Sequence, residues 1–221
     1  MLRFFRLYQF VVPATLFPVS YYLWLVHYDH NHRLAALALS IPVVYAYVIP
    51  GVGTNWFKLY DFNTRLKLGA YRPHHGFVFG TAASLLALLC LPRPTAGPEV
   101  VEILRAGFVL GSVLAFWNWF YDIYALKSGF MTVYNKPWAE RLGPEAVATD
   151  YAPALFGAFG ACDGVALRAS ECLLVDRGRS DLYWWCFLAC HLAVLTIPGV
   201  AYVVNSYVRN GETGLRPHKG G

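Results

Sequence analysis

From Tyr183 to Tyr207 the chain reads YWWCFLACHLAVLTIPGVAYVVNSY, 25 residues without Asp, Glu, Lys or Arg. A helix that crosses a bilayer needs about 20 mostly apolar residues, and runs of that length argue for lipid rather than for a soluble core. Comparable windows recur at Gln9–His27, Leu34–Val52, Gly76–Leu91 and Val101–Leu126. A sixth window, Tyr151–Val175, is long enough but holds Asp163, Arg168 and Glu171. Each of these costs about 3 kcal/mol near the bilayer centre. The expectation is an all-α polytopic transmembrane bundle, one membrane domain over residues 1–221. Six spans are preferred, and five result if Tyr151–Val175 is re-entrant.

Composition agrees with this class. Only 14% of the 221 residues are charged and 57% are hydrophobic, whereas a soluble domain keeps about 25% charged to cover its surface. The basic start MLRFFR resembles that of a signal peptide, but the apolar stretch behind it is too long for an h-region and has no small-x-small cleavage site. It reads as a retained first helix.

Orientation follows from Lys and Arg. With six spans and the N-terminus inside, the inner segments hold Arg3, Arg6, Lys58, Arg65, Lys67, Arg72, Lys127, Lys136, Arg141, Arg209, Arg216 and Lys219, which is 12 of the 18 basic residues. The outer segments hold Arg33, Arg93, Arg105, Arg177 and Arg179, and Arg168 lies within a span. This bias predicts that both termini are cytoplasmic, in the plasma (inner) membrane if the source is bacterial. The formal charge of +5 needs no nucleic acid, because the basic residues sit beside span ends. The proline-rich LPRPTAGPE (91–99) reads as a short outer turn. Cys90, Cys162, Cys172, Cys186 and Cys190 fall in spans without a CxxC pair and read as free thiols.

Two polar groups interrupt the apolar pattern. FWNWFYD places Asn118 and Asp122 one turn apart on one helix face. The same membrane depth receives His74 and His75 of RPHHG and Asp61 of the preceding loop, an inner cluster in which Asp122 is a candidate general base or salt-bridge partner of Arg72 or Lys127. Toward the other side lie Asp163, Arg168 and Glu171, with His191 two to three turns into the last span. Arg168 and Glu171 are i, i+3 neighbours able to neutralise one another. Ionisable residues within spans usually face the bundle interior and mark function.

HYDHNH raises a metal question, since His27, His30 and His32, with Asp29 nearby, carry ligands suited to zinc, copper or non-haem iron, and His191 can complete such a set. No HExxH or HxxHH box is present. Haem held by His27 and His191 stays open, because axial ligation needs no local motif. DGVALR, Asp163 to Arg168, is similar to the opening of the CDP-alcohol phosphotransferase signature. Leu167, Arg177 and Trp185 stand where that signature has alanine, glycine and aspartate, so only Asp163 and Asp181 fit its metal-binding positions. The match is confined to this segment and assigns no family.

The leading expectation is a membrane-embedded enzyme performing acid/base chemistry on a lipid-, sterol- or isoprenoid-like substrate. Asp122, with Asp163 or Glu171, is its acid or base, His191 its proton carrier, and Arg168 and Asn118 its orienting groups. It needs no cofactor, and its partners are membrane lipids and a lipophilic small molecule. The rivals are a metal- or haem-binding redox protein using His27, His30, His32 and His191, and a small transporter, channel or subunit of a larger complex.

Overall fold

The computed structural model describes residues 1–93 and 100–218. Most of the proline-rich turn (residues 94–99) and Lys219 lie outside the described residues. The elements in chain order are α1 (Leu2–His27), α2 (His32–Asn55), β1 (Tyr60–Phe62), α3 (His75–Cys90), α4 (Val100–Lys127), β2 (Met131–Val133), α5 (Lys136–Ala139), α6 (Pro144–Glu171) and α7 (Tyr183–Asn210). A π-helical turn, Cys172–Asp176, continues α6, and a 3-10 turn, Ser180–Leu182, leads into α7.

Four stretches, Leu2–His27, His32–Asn55, Val100–Lys127 and Ser180–Asn210, are long and apolar enough to cross a membrane. The all-α membrane class therefore holds. The helix α3 is apolar but has 16 residues, about 24 Å at a rise of about 1.5 Å per residue. The charged window expected at Tyr151–Val175 belongs to α6, a continuous helix of 28 residues. Prolines 13, 18, 42, 50, 153 and 198 all lie inside helices, as membrane helices tolerate when neighbours satisfy the freed carbonyls.

Local signals set the helix limits. HYDHNH folds as a tight turn: α1 stops at His27, Asp29 and His30 take left-handed backbone at φ 48° and 65°, and the Asn31 side chain caps α2 by accepting from the amides of Arg33 and Leu34 at 3.1 and 3.2 Å. Short polar side chains are favoured at such caps. Gly211, at φ 74°, ends α7.

The tightest pairing is α4 against α6, and glycines make it. A Cβ on Gly160 would lie 2.6 Å from the Leu110 carbonyl oxygen, and one on Gly164 would lie 2.5 Å from that of Ala106. Gly107 and Gly111 meet Ala161 and Gly157 from the opposite side. The two helices run antiparallel, since residues rising along α4 meet residues falling along α6, down to Trp119 donating to Thr149 at 2.9 Å. This is the small-xxx-small contact through which lipid-embedded helices bring their backbones together.

Around that pair, Trp24, Leu37, Ile41, Leu110, Leu114, Phe159, Leu167 and Val194 form the central core. A second core at one end joins Phe5, Phe62, Ala125, Phe130, Met131, Val133 and Val147. The loops after α2 and α4, expected only as connections, pair there as an antiparallel ribbon with Tyr60 opposite Val133 and Phe62 opposite Met131. Both chain ends reach this end of the bundle: Phe5 stacks on Phe130, and the His218 amide donates to the Tyr134 carbonyl at 2.8 Å. Large apolar side chains cover the outward faces, among them Phe108 on α4 and Trp184, Trp185, Val200 and Val208 on α7.

Candidate active site

At the ribbon end the helices enclose a cavity of about 230 Å³. Its wall is mostly aromatic and aliphatic, with Tyr45, Phe79, Trp117, Tyr121 and Phe156 among its residues, and the groups that carry chemistry in it are Arg72, His75, Asn118, Asp122 and Tyr151. Predominantly apolar lining with a few placed polar groups is the usual make-up of a small-molecule site.

Asp122 and Asn118 occupy the buried face of α4, as their spacing requires. The Tyr151 hydroxyl, from the first turns of α6, donates to Asp122 Oδ2 at 2.6 Å, and no described group donates to Oδ1. The Asn118 amide donates back to the Leu114 carbonyl at 2.9 Å, which fixes the plane of its side chain. Neither salt-bridge partner expected for Asp122 engages it. Lys127 pairs with Glu145 at 2.5 Å on the surface. Asp61 is likewise taken by Lys67 at 2.9 Å.

Arg72 stands on the loop before α3 and is 1% exposed. It donates to Gln9 Oε1 at 3.4 Å and to His75 Nδ1, and its guanidinium lies 4.4 Å from the Phe62 ring centre and 5.2 Å from that of Phe130. Gln9 Oε1 also accepts from His74 Nε2 at 2.9 Å. Burial, and then the charge of Arg72, push His74 down to about 4, so its ring is neutral at pH 7 and serves as a donor.

The other expected residues lie elsewhere. Arg168 and Glu171 pair at 2.5 Å, both almost fully buried. Glu171 also accepts from the Tyr28 hydroxyl at 2.7 Å, and Arg168 donates to the Pro92 carbonyl at 2.8 Å. This cluster ties the far ends of α1 and α6 to the chain after α3. Glu171 is 20 residues along α6 from Tyr151, about 30 Å, so the inner and outer polar groups form two sites and not one. Asp163 is fully buried with no hydrogen-bond partner among the described residues, and its fellow candidate Asp181 is an exposed partner of Arg179. His191 donates from Nδ1 to the Phe187 carbonyl at 2.7 Å and packs on the Phe187 ring.

The turn geometry does not bring together the histidine set expected for a metal. His27 packs against the Trp24 and Tyr28 rings, His30 is exposed, His32 meets the Tyr21 hydroxyl at 2.9 Å, and His191 stands on α7. Among the described residues no three His, Cys, Asp or Glu gather as metal ligands. The five cysteines are free thiols, as expected.

Comparison with protein-family models, with curated proteins and with solved structures yields no match. Sequence reasoning passed over Tyr151 and Gln9, which only helix contacts reveal as partners of Asp122 and Arg72. It also passed over Gly107–Gly111 and Gly160–Gly164, whose four-residue spacing was a legible signal.

Proposed function

We propose that this chain is an integral membrane enzyme performing acid/base chemistry on a lipophilic substrate of lipid, sterol or isoprenoid type, with the ribbon-end cavity as its active site. One observation carries the reading: in an aromatic cavity set among apolar helices, Asp122 has one oxygen held by Tyr151 and the other accepting from no described group. A carboxyl group so placed can give or take a proton at one end of an apolar body, while Tyr151 fixes its orientation and Asn118 presents an amide one turn away. The ring faces of Tyr121 and Trp117 are suited to positive charge developing on the substrate. Arg168, Glu171 and His191 then stand too far from Asp122 to share its chemistry, and the Arg168–Glu171 pair locks the opposite end of the bundle.

Six crossings suit this reading. The helix α6 is continuous and antiparallel to α4, and its charges turn into the bundle. Both chain ends then lie on the cytoplasmic side, where the basic residues concentrate, and the cavity opens at that depth. A substrate can reach it from the membrane and leave into the same leaflet.

The test starts with the lipids that accompany the protein through purification in mild detergent, identified by mass spectrometry and returned to delipidated protein for turnover. Asp122→Asn is expected to lower turnover at least about 100-fold, and Tyr151→Phe about tenfold. An Asp122→Asn protein with unchanged melting temperature and wild-type turnover would end this reading.

A further inference from the structure

Among the described residues two arginines are buried, and they are treated differently. Arg168, 4% exposed, has the Glu171 carboxylate at 2.5 Å. Arg72, 1% exposed, has no carboxylate within 4 Å among the described residues. Its nearest neighbours are the neutral Gln9 and His75 and the rings of Phe62 and Phe130, and its Nε is buried without a partner. A guanidinium withdrawn from water is ordinarily compensated by an anion. Cation–π contacts and two uncharged acceptors do part of that, and Asp122 of the same cavity acts on Arg72 only from beyond ion-pair distance, so no described carboxylate touches the guanidinium.

The position of Arg72 shows where the missing charge belongs. Arg72 lines the same cavity as Asp122, and the rest of that wall is largely apolar and aromatic. The fork is immobilised from three sides, by Gln9 of α1, by His75 of α3 and by the two rings. Gln9 is itself anchored, donating to the Thr64 hydroxyl and to the Arg6 carbonyl at 3.3 Å each. A planar guanidinium held this way is preorganised for a carboxylate or phosphate.

We infer that the cavity takes an amphipathic anion, with its carboxylate or phosphate on Arg72 and the adjoining apolar segment among the rings of the wall. The inference rests on the acid/base reading only in using the same chamber, and it narrows the substrate class of that reading to acidic lipids and their short-chain analogues. At about 230 Å³ the chamber exceeds a cavity of about 150 Å³ that holds a benzene ring. It accommodates the head and the first carbons of such a molecule and leaves a longer tail to lie in the bilayer.

The experiment uses the full chain, delipidated in mild detergent, with decanoate, decyl phosphate, decanol, decyltrimethylammonium and inorganic phosphate as probes, read by isothermal titration calorimetry and by the shift in melting temperature. Decanoate or decyl phosphate is expected to bind about tenfold more tightly than decanol, the size of a charge-assisted hydrogen bond. The stronger of the two identifies the head group. Arg72→Met removes the preference and leaves decanol binding unchanged, and Arg72→Lys keeps part of it. Decanol equal to both anions overturns the inference, as does inorganic phosphate equal to decyl phosphate, or an Arg72→Met protein that still prefers the anion. If Arg72→Met does not fold, the wild-type ranking of the two anions over decanol and decyltrimethylammonium decides alone. Failure here is separable from failure of the enzymatic reading. Anion preference with wild-type turnover in Asp122→Asn retains the site and removes the chemistry, and lost turnover without anion preference does the reverse.

Discussion

Asp122 and Tyr151 act through one hydrogen bond, and the bond belongs to both helices that carry it. Tyr151→Phe removes the donor and leaves a buried carboxylate with less support, so a stability loss of about 1 to 3 kcal/mol accompanies the fall in turnover; denaturant melts of the purified variant measure it. His74 gives a pH signature at the same scale. Burial and the charge of Arg72 hold it at about 4 in the folded chain against 6.5 ordinarily, so the unfolded chain binds more protons between those values. Its contribution is complete above pH 6.5 and is lost as pH falls toward 4, at about 1 kcal/mol given the ring's partial exposure. Melting temperature against pH for wild type and His74→Gln should separate in that window and converge above it. Asp122 and Asn118 were legible as a pair because helical periodicity alone puts them on one face. Arg72 was legible as a residue of the same depth but not as a cation without a carboxylate partner among the described residues, since that is a property of several elements packed together.

Among elements, α4 and α6 hold the bundle by backbone approach. Placing even one methyl group at Gly160 drives it against the Leu110 carbonyl and the Gly111 backbone, so Gly160→Ala is expected to cost about 1 to 3 kcal/mol and Gly160→Leu to abolish folding. Thermal unfolding in detergent, with size-exclusion profiles, distinguishes the two. At the opposite end, Glu171→Gln strands Arg168 and is expected to cost about 3 to 5 kcal/mol, whereas Arg168→Met with Glu171→Leu restores most of the loss, because burying an unmatched charge is worse than burying none. The helices themselves were readable from apolar windows: α2, α4 and α7 extend the expected limits by one to three residues, α3 is shifted by one, and α1 and α6 begin seven residues earlier, with α6 giving way to the π-helical turn four residues before the expected end. The charges of α6 made it the least certain span in the sequence, and packing explains them: Asp163, Arg168 and Glu171 are turned inward, away from lipid. The ribbon of β1 and β2 was not legible. Its strands are three residues each, too short for a period to register, and are fixed by the aromatic core beneath them.

For the whole molecule, the proposed six-crossing arrangement predicts which positions meet which side. In a cysteine-free background, cysteines placed at Ser128 and Thr213 are expected to react with an impermeant maleimide only from the cytoplasmic face, and one at His30 only from the opposite face. Labelling of Thr213 and His30 from the same side would refute the arrangement. The proposed orientation comes from the charge bias counted over the six expected windows, because the rule depends on loop residues and not on packing.

The wall of the chamber runs in sequence from Tyr8 of α1 to Leu215 beyond α7. A growing polypeptide therefore has no version of it: the ribbon that floors it needs two distant loops, and the last wall residue arrives only after α7 has been released and turned at Gly211. Helices can enter the membrane one after another, but the wall is complete only when Gly199, Tyr202 and Leu215 stand beside the residues contributed by the earlier helices. If the proposed site is correct, ligand binding would report on a completed fold, and a chain stalled before its final helix is expected to lack that binding.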